Sequence, residues 1–387
     1  MRILLWHGYL LGGTGSNVYT RSLAREWSRA GHDVVVVCQE PHPERYDLGG
    51  AKVFRPNVGG LLPVFVLDRY EGVEAKLLQD FTRAERERYV ALNATAVCAH
   101  MPADLVFANH VLLGAPVAWA SGMPFAVKAH GSELEYSMRG NEELAEWGRE
   151  CLAPAEAVFV GSAHIRNVLE EVVGHVERVH EVPPGVDVEE FRPSLSRDES
   201  LARLLKEAQG DAANPANSNE RQPDEGNAAR FAEFFAMDEP TVVYFGKLLH
   251  NKGVHVLLEA LRGVAARAVI VGFGDYRREL ELIAPPGTLF TGPLEHRHLV
   301  HLLPLVARHS GLAEIAEGLE AAYPVEHRHL VSFATGDAAD LAAKLDELLT
   351  LSSEARAELA AAARSTAVQL WSWTSIAARL LEPIGGG

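Results

Sequence analysis

Short apolar runs alternate with amphipathic stretches along nearly the whole chain, and this alternation restricts the fold more than any other feature. Strands covered by helices on both faces are near-continuous in apolar residues, which is typical of parallel sheets. A second series of such runs begins after residue 240. The pattern predicts an α/β fold with parallel sheets. The predicted strands are Ile3–Trp6, Val34–Cys38, Leu105–Ala108, Phe125–Ala129, Ala157–Val160, Val179–Val182, Thr241–Phe245 and Ala268–Val271.

The length of 387 residues allows two domains, each able to bury a core of its own. We expect a first domain over residues 1–193 and a second over residues 238–367. The stretch between them contains a run rich in Asn, Pro, Gly and acidic residues at 210–226, a composition typical of loops. Residues 194–237 are therefore predicted to form a polar insertion or linker.

Acidic residues outnumber basic ones by 52 to 36, which gives the chain a net charge of −16. Such a chain is not expected to bind nucleic acid or an anionic membrane through general electrostatic attraction. No apolar run reaches the ~20 residues of a membrane-spanning helix, and residues 1–8 indicate a strand, not a signal peptide. Cys38, Cys98 and Cys151 lie far apart, which indicates reduced thiols and neither a disulfide framework nor a zinc site. These features predict a cytoplasmic protein without stable membrane insertion.

A glycine-rich loop, with Gly12, Gly13 and Gly15, joins the first predicted strand to the first predicted helix. Glycines let the backbone approach a ligand, and the N–H groups at a helix start favour an anion or a sugar hydroxyl. The loop lacks the full spacing of a dinucleotide site, and no acidic residue ends the second strand at Val37–Gln39. A dehydrogenase is therefore disfavoured, and a plain tight turn is the structural alternative.

His130, Ser132 and Glu133 follow the strand predicted at Phe125–Ala129. Ligands of open α/β sheets bind beyond the carboxyl ends of the strands. A histidine and a carboxylate at this edge could orient the hydroxyl groups of a polar substrate. The structural alternative is a His–Glu pair that only caps the next helix.

Lys247 and Lys252 lie in a turn, after Gly246, that leads from a predicted strand into a predicted helix. Lysines are unfavourable near the positive end of a helix dipole unless an anion is present, and a diphosphate would supply that charge. Two further glycine turns follow predicted strands, with Gly272 and Gly274 in the first and Gly292 to Leu294 in the second. Both turns are typical of loops that bind a ligand at the carboxyl edge of a sheet.

Taken in order, these motifs resemble those of the family 4 glycosyltransferases, which are retaining nucleotide-sugar enzymes of the GT-B fold. The resemblance covers nearly the whole chain outside the polar stretch. No single motif is specific to the family, and the resemblance rests on all of the motifs occurring in the same order. The pieces are the Gly12-Gly13 loop, Ala129–Glu133, Val182–Asp187 followed by Phe191–Pro193, Gly246-Lys247 with Lys252-Gly253, Val271–Gly274 and Trp371–Trp373.

The resemblance implies two facing Rossmann-like domains with parallel sheets and an interdomain cleft that holds the active site. The first domain would bind a hydroxyl acceptor, either a small molecule or a glycan, and the second a nucleotide-diphosphate sugar. The terminal helix, residues 368–387, would pack back on the first domain. The sugar would be transferred with retention of configuration through a short-lived oxocarbenium ion pair, without a protein nucleophile.

The resemblance also implies roles for single residues. His130 would lie beside the donor sugar, while Lys247 and Lys252 would neutralise the diphosphate leaving group and make a metal ion unnecessary. No cofactor is expected besides the donor substrate, and the oligomeric state is left open. The expected binding residues are Gly12, Gly13, Gly15, Ser132, Glu133, Gly246, Gly272, Gly274, Gly292 and Leu294.

One part of the chain departs from the family pattern. After Leu305 the family continues with a strand and a helix carrying a pair of glutamates that hold the donor sugar and the nucleotide ribose. Here Val306–Ile315 follows directly, and about 30 residues of a typical strand–helix unit are absent. Three explanations are open: the sequence lacks a disordered segment, the chain is a shortened form with impaired catalysis, or this half lies outside the family. The alternative functions are a nucleotide-sugar-binding homologue without catalysis and a GT-B sugar-nucleotide epimerase.

Overall fold

The computed structural model of the protein describes residues 1–12, 14–65, 74–192, 196–212, 222–305 and 313–384. The chain divides into two compact units. The first comprises Met1–Val186 with Gln369–Gly387, and the second comprises Asp187–Val368. The terminal segment thus belongs to the first unit.

The division falls before the boundary expected at residue 193, because the segment after Val186 packs within the second unit. There the Arg364 guanidinium donates hydrogen bonds to the backbone oxygens of Val188 and Phe191, over 2.6 and 3.0 Å. The Phe191 side chain also packs against the core of that unit.

In its described part the first unit contains nine strands and seven α-helices, with three single turns of other helix types. The strands are β1 (Arg2–Trp6), β2 (Asp33–Val37), β3 (Lys52–Phe54), β4 (Leu61–Val64), β5 (Glu74–Leu77), β6 (Leu105–Asn109), β7 (Phe125–Lys128), β8 (Ala157–Val160) and β9 (Val179–Glu181). The α-helices are α1 (Gly15–Arg29), α2 (Arg83–Cys98), α3 (Gly114–Ala120), α4 (Gly131–Glu133), α5 (Glu142–Leu152), α6 (Ala163–Val173) and, from the end of the chain, α15 (Trp373–Leu381). Two 3₁₀ turns lie at Pro43–Arg45 and Leu78–Asp80, and a π-helical turn lies at Leu134–Met138.

Seven of these strands form one parallel sheet in the order β3-β2-β1-β6-β7-β8-β9. Strands β4 and β5 pair with each other in a small separate sheet. The seven-stranded sheet buries both faces: Leu4 and Trp6 of β1 lie in one core cluster, and Ile3 and Leu5 lie in the other. The strand order reverses between β1 and β6, where open α/β sheets bind their ligands.

The terminal helix α15 packs on α1 within the first unit. The indole N–H of Trp27 donates to the backbone oxygen of Ala377 over 2.9 Å, and Trp373 is buried in the same core cluster. Gly185 lies against the Trp373 ring, since a Cβ at residue 185 would come within 2.6 Å of it. This close packing explains the glycine in the Val182–Asp187 turn.

In its described part the second unit contains a three-stranded parallel sheet in the order β10-β11-β12. The strands are β10 (Thr241–Phe245), β11 (Arg267–Val271) and β12 (Thr288–Phe290). The α-helices are α7 (Arg197–Gln209), α8 (Asn227–Phe234), α9 (Val254–Ala260), α10 (Arg277–Ile283), α11 (His296–Leu302), α12 (Ala313–Ala322), α13 (Ala338–Thr350) and α14 (Ser353–Leu370). Short 3₁₀ turns lie at His250–Lys252, Leu261–Gly263, Leu303–Leu305 and Val325–Leu330.

The prediction of a linker over residues 194–237 is wrong for the described part of this stretch, which forms α7 and α8. Leu204 and Phe231 from these helices are fully buried with Val269 of β11 in one core cluster. The apolar stripe Leu201, Leu204, Leu205 and Ala208 has the spacing of a helix that buries one face. The neighbouring residues 213–221 lie outside the described part.

The explanation that a disordered segment is missing between residues 305 and 306 is also wrong. The sequence runs from Leu305 to Val306 without a break, so the short connection belongs to the chain itself. Residues 306–312 lie outside the described part. Within the described residues, β10 lies at the edge of the second unit's sheet and pairs with β11 along one side.

Candidate functional site

In the first unit, histidines gather where three strands end, at the reversal of strand order. His7 follows β1, Asn109 ends β6 and is followed by His110, and His130 follows β7. The ring centroids of His110 and His130 lie 4.6 Å apart, and those of His7 and His110 lie 5.9 Å apart. Nε2 of His130 is 2.9 Å from Oδ1 of Asn109, and Nε2 of His7 is 2.8 Å from Oδ1 of Asn17. We call His7, His110 and His130 the histidine cluster.

Burial keeps the histidine cluster uncharged. It lowers the pKa of His7 to about 4, and it holds the pKa values of His110 and His130 well below their ordinary range. Neighbouring imidazoles add to the effect at His110, and the Lys128 ammonium adds to it at His130. The rings therefore offer hydrogen-bonding groups and aromatic surface, not positive charge, to a ligand.

His110 is held in an unusual conformation. Its backbone φ is +74°, a region that non-glycine residues seldom adopt and that often marks functional sites. Its side chain is buried, and neither ring nitrogen has a hydrogen-bond partner among the described residues. Strain and an unsatisfied imidazole together favour a functional interpretation of this strand end.

Glu133 is fully buried, and its carboxylate oxygens accept backbone N–H groups. The donors are His130 at 3.0 Å, Val111 at 2.7 Å and Leu112 at 3.2 Å. Burial raises the pKa of Glu133 to about 7, although these hydrogen bonds oppose the shift. This geometry favours the capping alternative for Glu133, which holds the β6 and β7 ends together instead of contacting a ligand. Ser132 lies half-buried beside it in α4.

Lys128 is a further buried charge near the cluster. Its ammonium donates to the backbone oxygen of Val182 over 2.8 Å and lies 5.3 Å from the centre of the Tyr19 ring. Burial lowers the pKa of Lys128 to about 7. The Tyr19 ring also packs edge-on against His130, with centroids 5.8 Å apart.

The glycine-rich loop of the first unit is partly described. Gly12 is packed against Tyr46, whose hydroxyl oxygen would lie 2.4 Å from a Cβ at residue 12. The Gly12 carbonyl accepts a hydrogen bond from the Asn17 side chain. Gly15 begins α1 and is exposed, with Thr14 at the N-cap, while Gly13 lies outside the described residues.

In the second unit the three glycine turns meet at the carboxyl edge of the sheet. The Leu248 N–H donates to the Phe273 oxygen over 2.8 Å, and the Gly272 N–H donates to the Gly292 oxygen over 3.0 Å. A Cβ at residue 272 would lie 1.8 Å from the Gly246 oxygen, and one at residue 274 would lie 2.2 Å from the Leu248 oxygen. The structure therefore brings the predicted loops together. Close packing of their backbones explains why residues 272 and 274 are glycines.

Both predicted lysines lie in the first of these loops. Lys247 follows β10, and its backbone oxygen accepts a hydrogen bond from the Tyr244 hydroxyl over 2.9 Å. Lys252 ends a 3₁₀ turn before α9, is exposed, and forms no ion pair with a described carboxylate. Beside them His250 and His255 stack with centroids 4.7 Å apart, and Tyr276 packs on both rings.

Gly292 and Leu294 follow β12 and are held by a polar network. The Arg277 guanidinium binds both carboxylate oxygens of Asp224, at 2.8 and 2.6 Å, in a buried pair. Asp224 lies against Gly292, where a Cβ would meet its Oδ1 at 2.8 Å. Leu294 packs on the core formed with α7 and α8. Residues from the stretch predicted as a linker thus cover one side of this loop.

Sequence reasoning missed His7, Asn109, His110 and Asn17. Their position relative to the predicted strands could have identified them, because each of the first three lies at or just after the end of a correctly predicted strand. The reversal between β1 and β6 depends on strand order, which the sequence does not display.

Comparisons with known proteins agree with this architecture. Residues 14–185 match the model of the glycosyl transferase 4-like domain. A D-inositol 3-phosphate glycosyltransferase from Xylanimonas cellulosilytica is 27% identical over 147 residues, which cover 35% of this chain and 29% of that protein. The chain therefore matches less than a third of that relative's length.

Solved structures match over almost the whole chain. Anabaena HepE, in complex with UDP and glucose, has a TM-score of 0.66 at 15% identity and 100% coverage of both chains. A sucrose-phosphate synthase from Thermosynechococcus elongatus has a TM-score of 0.60 at 16% identity, covering 99% of this chain and 98% of that one. Identities this low show the fold alone.

The fold is that of the GT-B glycosyltransferases, as the ordered motifs predicted. The match of residues 14–185 to the glycosyl transferase 4-like domain supports the resemblance to family 4 for the first unit. In the part of the chain that the structure describes, no helix is long and apolar enough to cross a membrane. The same part contains no group of three or more His, Cys, Asp or Glu side chains placed to hold a metal ion.

Proposed function

We propose that the protein is a glycosyltransferase that moves a sugar from a nucleotide-diphosphate donor to a hydroxyl acceptor. The observation that carries this proposal is the convergence of three loops at the carboxyl edge of β10, β11 and β12, with Lys247 and Lys252 in the first loop. This is where open parallel sheets bind ligands, and the lysines supply positive charge in a chain of net charge −16. The family match of residues 14–185 and the GT-B fold support the same reaction.

In this proposal the second unit binds the donor. Lys247 and Lys252 neutralise the diphosphate as it leaves, so the mechanism needs no metal ion. The bound UDP and UDP-glucose of the HepE structures support a uridine nucleotide as the first donor to test.

The histidine cluster of the first unit offers neutral imidazoles for sugar hydroxyl groups. His130 is the member that we assign to contact with a sugar, because it is only half-buried while His7 and His110 are buried. No described carboxylate of this cluster is free to act as a nucleophile, since the Glu133 oxygens are engaged by backbone N–H groups. Retention through a short-lived oxocarbenium ion pair is consistent with this arrangement. The three unpaired cysteines support a cytoplasmic site of action.

A second candidate function follows from the short second unit. Its described sheet has three strands, and the glutamate pair expected after Leu305 is absent from the sequence there. A protein that binds nucleotide sugars without transferring them would keep the lysine loop and lose the residues that act on the sugar. A GT-B epimerase is a third possibility that the same experiment separates.

Calorimetric titration with UDP, GDP, ADP and UDP-glucose, followed by NMR of the donor over time, tests these functions. A transferase binds a nucleotide and hydrolyses the donor slowly, releasing a sugar whose first-formed anomer is that of the donor. Binding with an unchanged donor favours the homologue without catalysis, and conversion to an epimeric sugar favours the epimerase. If none of these nucleotides binds, the proposed function fails.

A further inference from the structure

A buried ion pair joins two of the three loops at the carboxyl edge of the second unit's sheet. The Arg277 guanidinium binds both carboxylate oxygens of Asp224, over 2.8 and 2.6 Å, and both residues are buried. Arg277 begins α10, shortly after the loop that contains Gly274, and its N–H donates to the Gly274 oxygen over 3.1 Å. The Asp224 N–H donates to the Thr291 oxygen, in the loop after β12, over 2.9 Å. One ion pair therefore connects the two loops.

The loop that carries the two lysines, at residues 246–253, is attached to the same set. The Leu248 N–H donates to the Phe273 oxygen over 2.8 Å, and the Leu248 oxygen accepts the N–H of Tyr276 over 3.2 Å. Tyr276 is the chain neighbour of Arg277. The ion pair therefore lies next to the contact that holds the lysine loop, and the three loops form one hydrogen-bonded set.

Two further side chains hold the segment that carries Asp224 against the end of β12. The Asn227 amide donates to the Thr291 oxygen over 2.8 Å, and the Arg230 guanidinium donates to the Phe290 oxygen over 2.5 Å. Arg230 also lies 3.3 Å from the Asp224 carboxylate. A buried ion pair contributes little more to stability than apolar side chains of the same size, but its bidentate form fixes the orientation of both partners. Orientation of the loops is therefore the effect that sets this pair apart.

We propose that Asp224 and Arg277 are positioning residues that hold the three loops in the arrangement in which Lys247 and Lys252 bind a diphosphate. This inference rests on the proposed function and adds that the residues preceding α8 take part in building the donor site. Loops that are already ordered lose little conformational freedom on binding, whereas loops without the pair have to be ordered by the ligand. Loss of the pair is therefore expected to weaken diphosphate binding in a protein that stays folded.

Calorimetric titration of two variants with UDP tests this role. Asp224→Asn with Arg277→Met removes both charges together, so that neither is left buried without a partner. This double variant is expected to bind UDP about tenfold more weakly, the effect of having to order about one more residue on binding. In the matched control, Arg267→Met, the lost guanidinium lies 3.4 Å from the Glu239 carboxylate and donates to the Phe234 oxygen, at the opposite end of α8. The control should bind UDP like the wild type.

A pair that only stabilised the fold would leave the UDP affinity of the folded protein unchanged when it is removed. Far-ultraviolet circular dichroism checks that each variant is folded at the temperature of the titration. Arg277→Lys, which keeps the charge and loses the two-point contact, is the milder variant and is expected to bind UDP about threefold more weakly. Unchanged UDP affinity in the folded variants, or an equal loss in Arg267→Met, would contradict the positioning role.

Hydrogen exchange in the ligand-free protein, followed by NMR, tests the positioning without a nucleotide. The amides of Gly272 and Leu248 form hydrogen bonds between the loops, whereas the Ala268 amide donates to the Gly287 oxygen near the opposite edge of the sheet. In the double variant the first two amides are expected to exchange about tenfold faster relative to that of Ala268. Equal acceleration at all three would show a loss of overall stability only and would overturn the inference. If the wild type does not bind UDP, the proposed function fails, whereas the exchange rates still decide the positioning.

Discussion

At the scale of single residues, Lys252 carries the clearest expectation for the donor site. It is exposed, it lies at the edge where the three loops meet, and no described carboxylate neutralises it. Lys252→Ala is expected to weaken UDP binding about tenfold, because a hydrogen bond from a charged group to phosphate is lost. Uridine, which has no phosphate, should bind the variant and the wild type equally in calorimetric titrations.

Lys206→Ala is the matched control for this substitution. Lys206 is also exposed in the second unit, near the end of α7, but it lies outside the three loops. Both variants lower the positive charge by one, so a general electrostatic effect would weaken UDP binding in both. An equal loss in the two variants, or an equal loss of UDP and uridine binding in Lys252→Ala, would remove Lys252 from the diphosphate site.

Glu133 gives a prediction about the pH dependence of stability. Burial raises its pKa from 4.5 to about 7, so the folded chain binds a proton that the unfolded chain releases in this range. The free energy of unfolding of the wild type is therefore expected to fall, relative to Glu133→Gln, as the pH rises from 4.5 to about 7. The difference should be on the order of 3 kcal/mol and level off above that pH.

Urea unfolding of both proteins at a series of pH values, followed by tryptophan fluorescence, measures this difference. The signal reports the first unit, because all six tryptophans lie there, at Trp6, Trp27, Trp119, Trp147, Trp371 and Trp373. A constant offset between the two proteins across the range would show that Glu133 has an ordinary pKa in the folded state.

At the scale of elements, the loops of the second unit depend on glycine where two backbones touch. A Cβ at residue 272 would lie 1.8 Å from the Gly246 oxygen, whereas a Cβ at residue 263 meets nothing within 4 Å. Gly272→Ala is therefore expected to destabilise the second unit by about 3 kcal/mol, while Gly263→Ala is expected to be close to neutral. Thermal unfolding followed by far-ultraviolet circular dichroism compares them, and similar midpoints would contradict the close approach of these loops.

Strands were predicted well where a run consists almost entirely of apolar residues. All eight predicted strands are confirmed, with ends within one residue of the observed bounds. Four strands were missed: β3, β4, β5 and β12. Of these, β3 and β12 have only three residues each, Lys52–Phe54 and Thr288–Phe290, which is too short to form a recognisable run. The helices α7 and α8 were missed because the polar residues between them dominate the composition of the stretch. The apolar residues on one face of each helix were therefore not recognised as a helical pattern.

The candidate site was predictable in part. Lys247, Lys252 and the glycine turns stand in recognisable local motifs, and the structure places them in loops that meet at one sheet edge. His7, Asn109 and His110 come together only through the order of strands, which no local pattern records. Glu133 shows the limit of a motif: its spacing from His130 suits a ligand contact and a helix cap equally, and only the backbone donors around it decide between them.

At the scale of the whole molecule, the described sheets of the two units differ in size. The first unit has a seven-stranded sheet, whereas the described sheet of the second has three strands, and the chain passes directly from Leu305 to Val306. The second unit still buries a core on each face of its sheet, because α7 and α8 cover one face and α9 and α13 cover the other. The loops that we propose for the donor therefore rest on a packed support, although the glutamate pair that the resemblance implies is absent from the sequence after Leu305.

The central claim is that Lys247 and Lys252 bind the diphosphate of a sugar nucleotide. A crystal structure of the protein with bound UDP-glucose tests it most directly. The account predicts diphosphate oxygens within hydrogen-bonding distance, about 2.7–3.2 Å, of both lysine ammonium groups. A diphosphate bound by other residues, with both lysines in solvent, would contradict it.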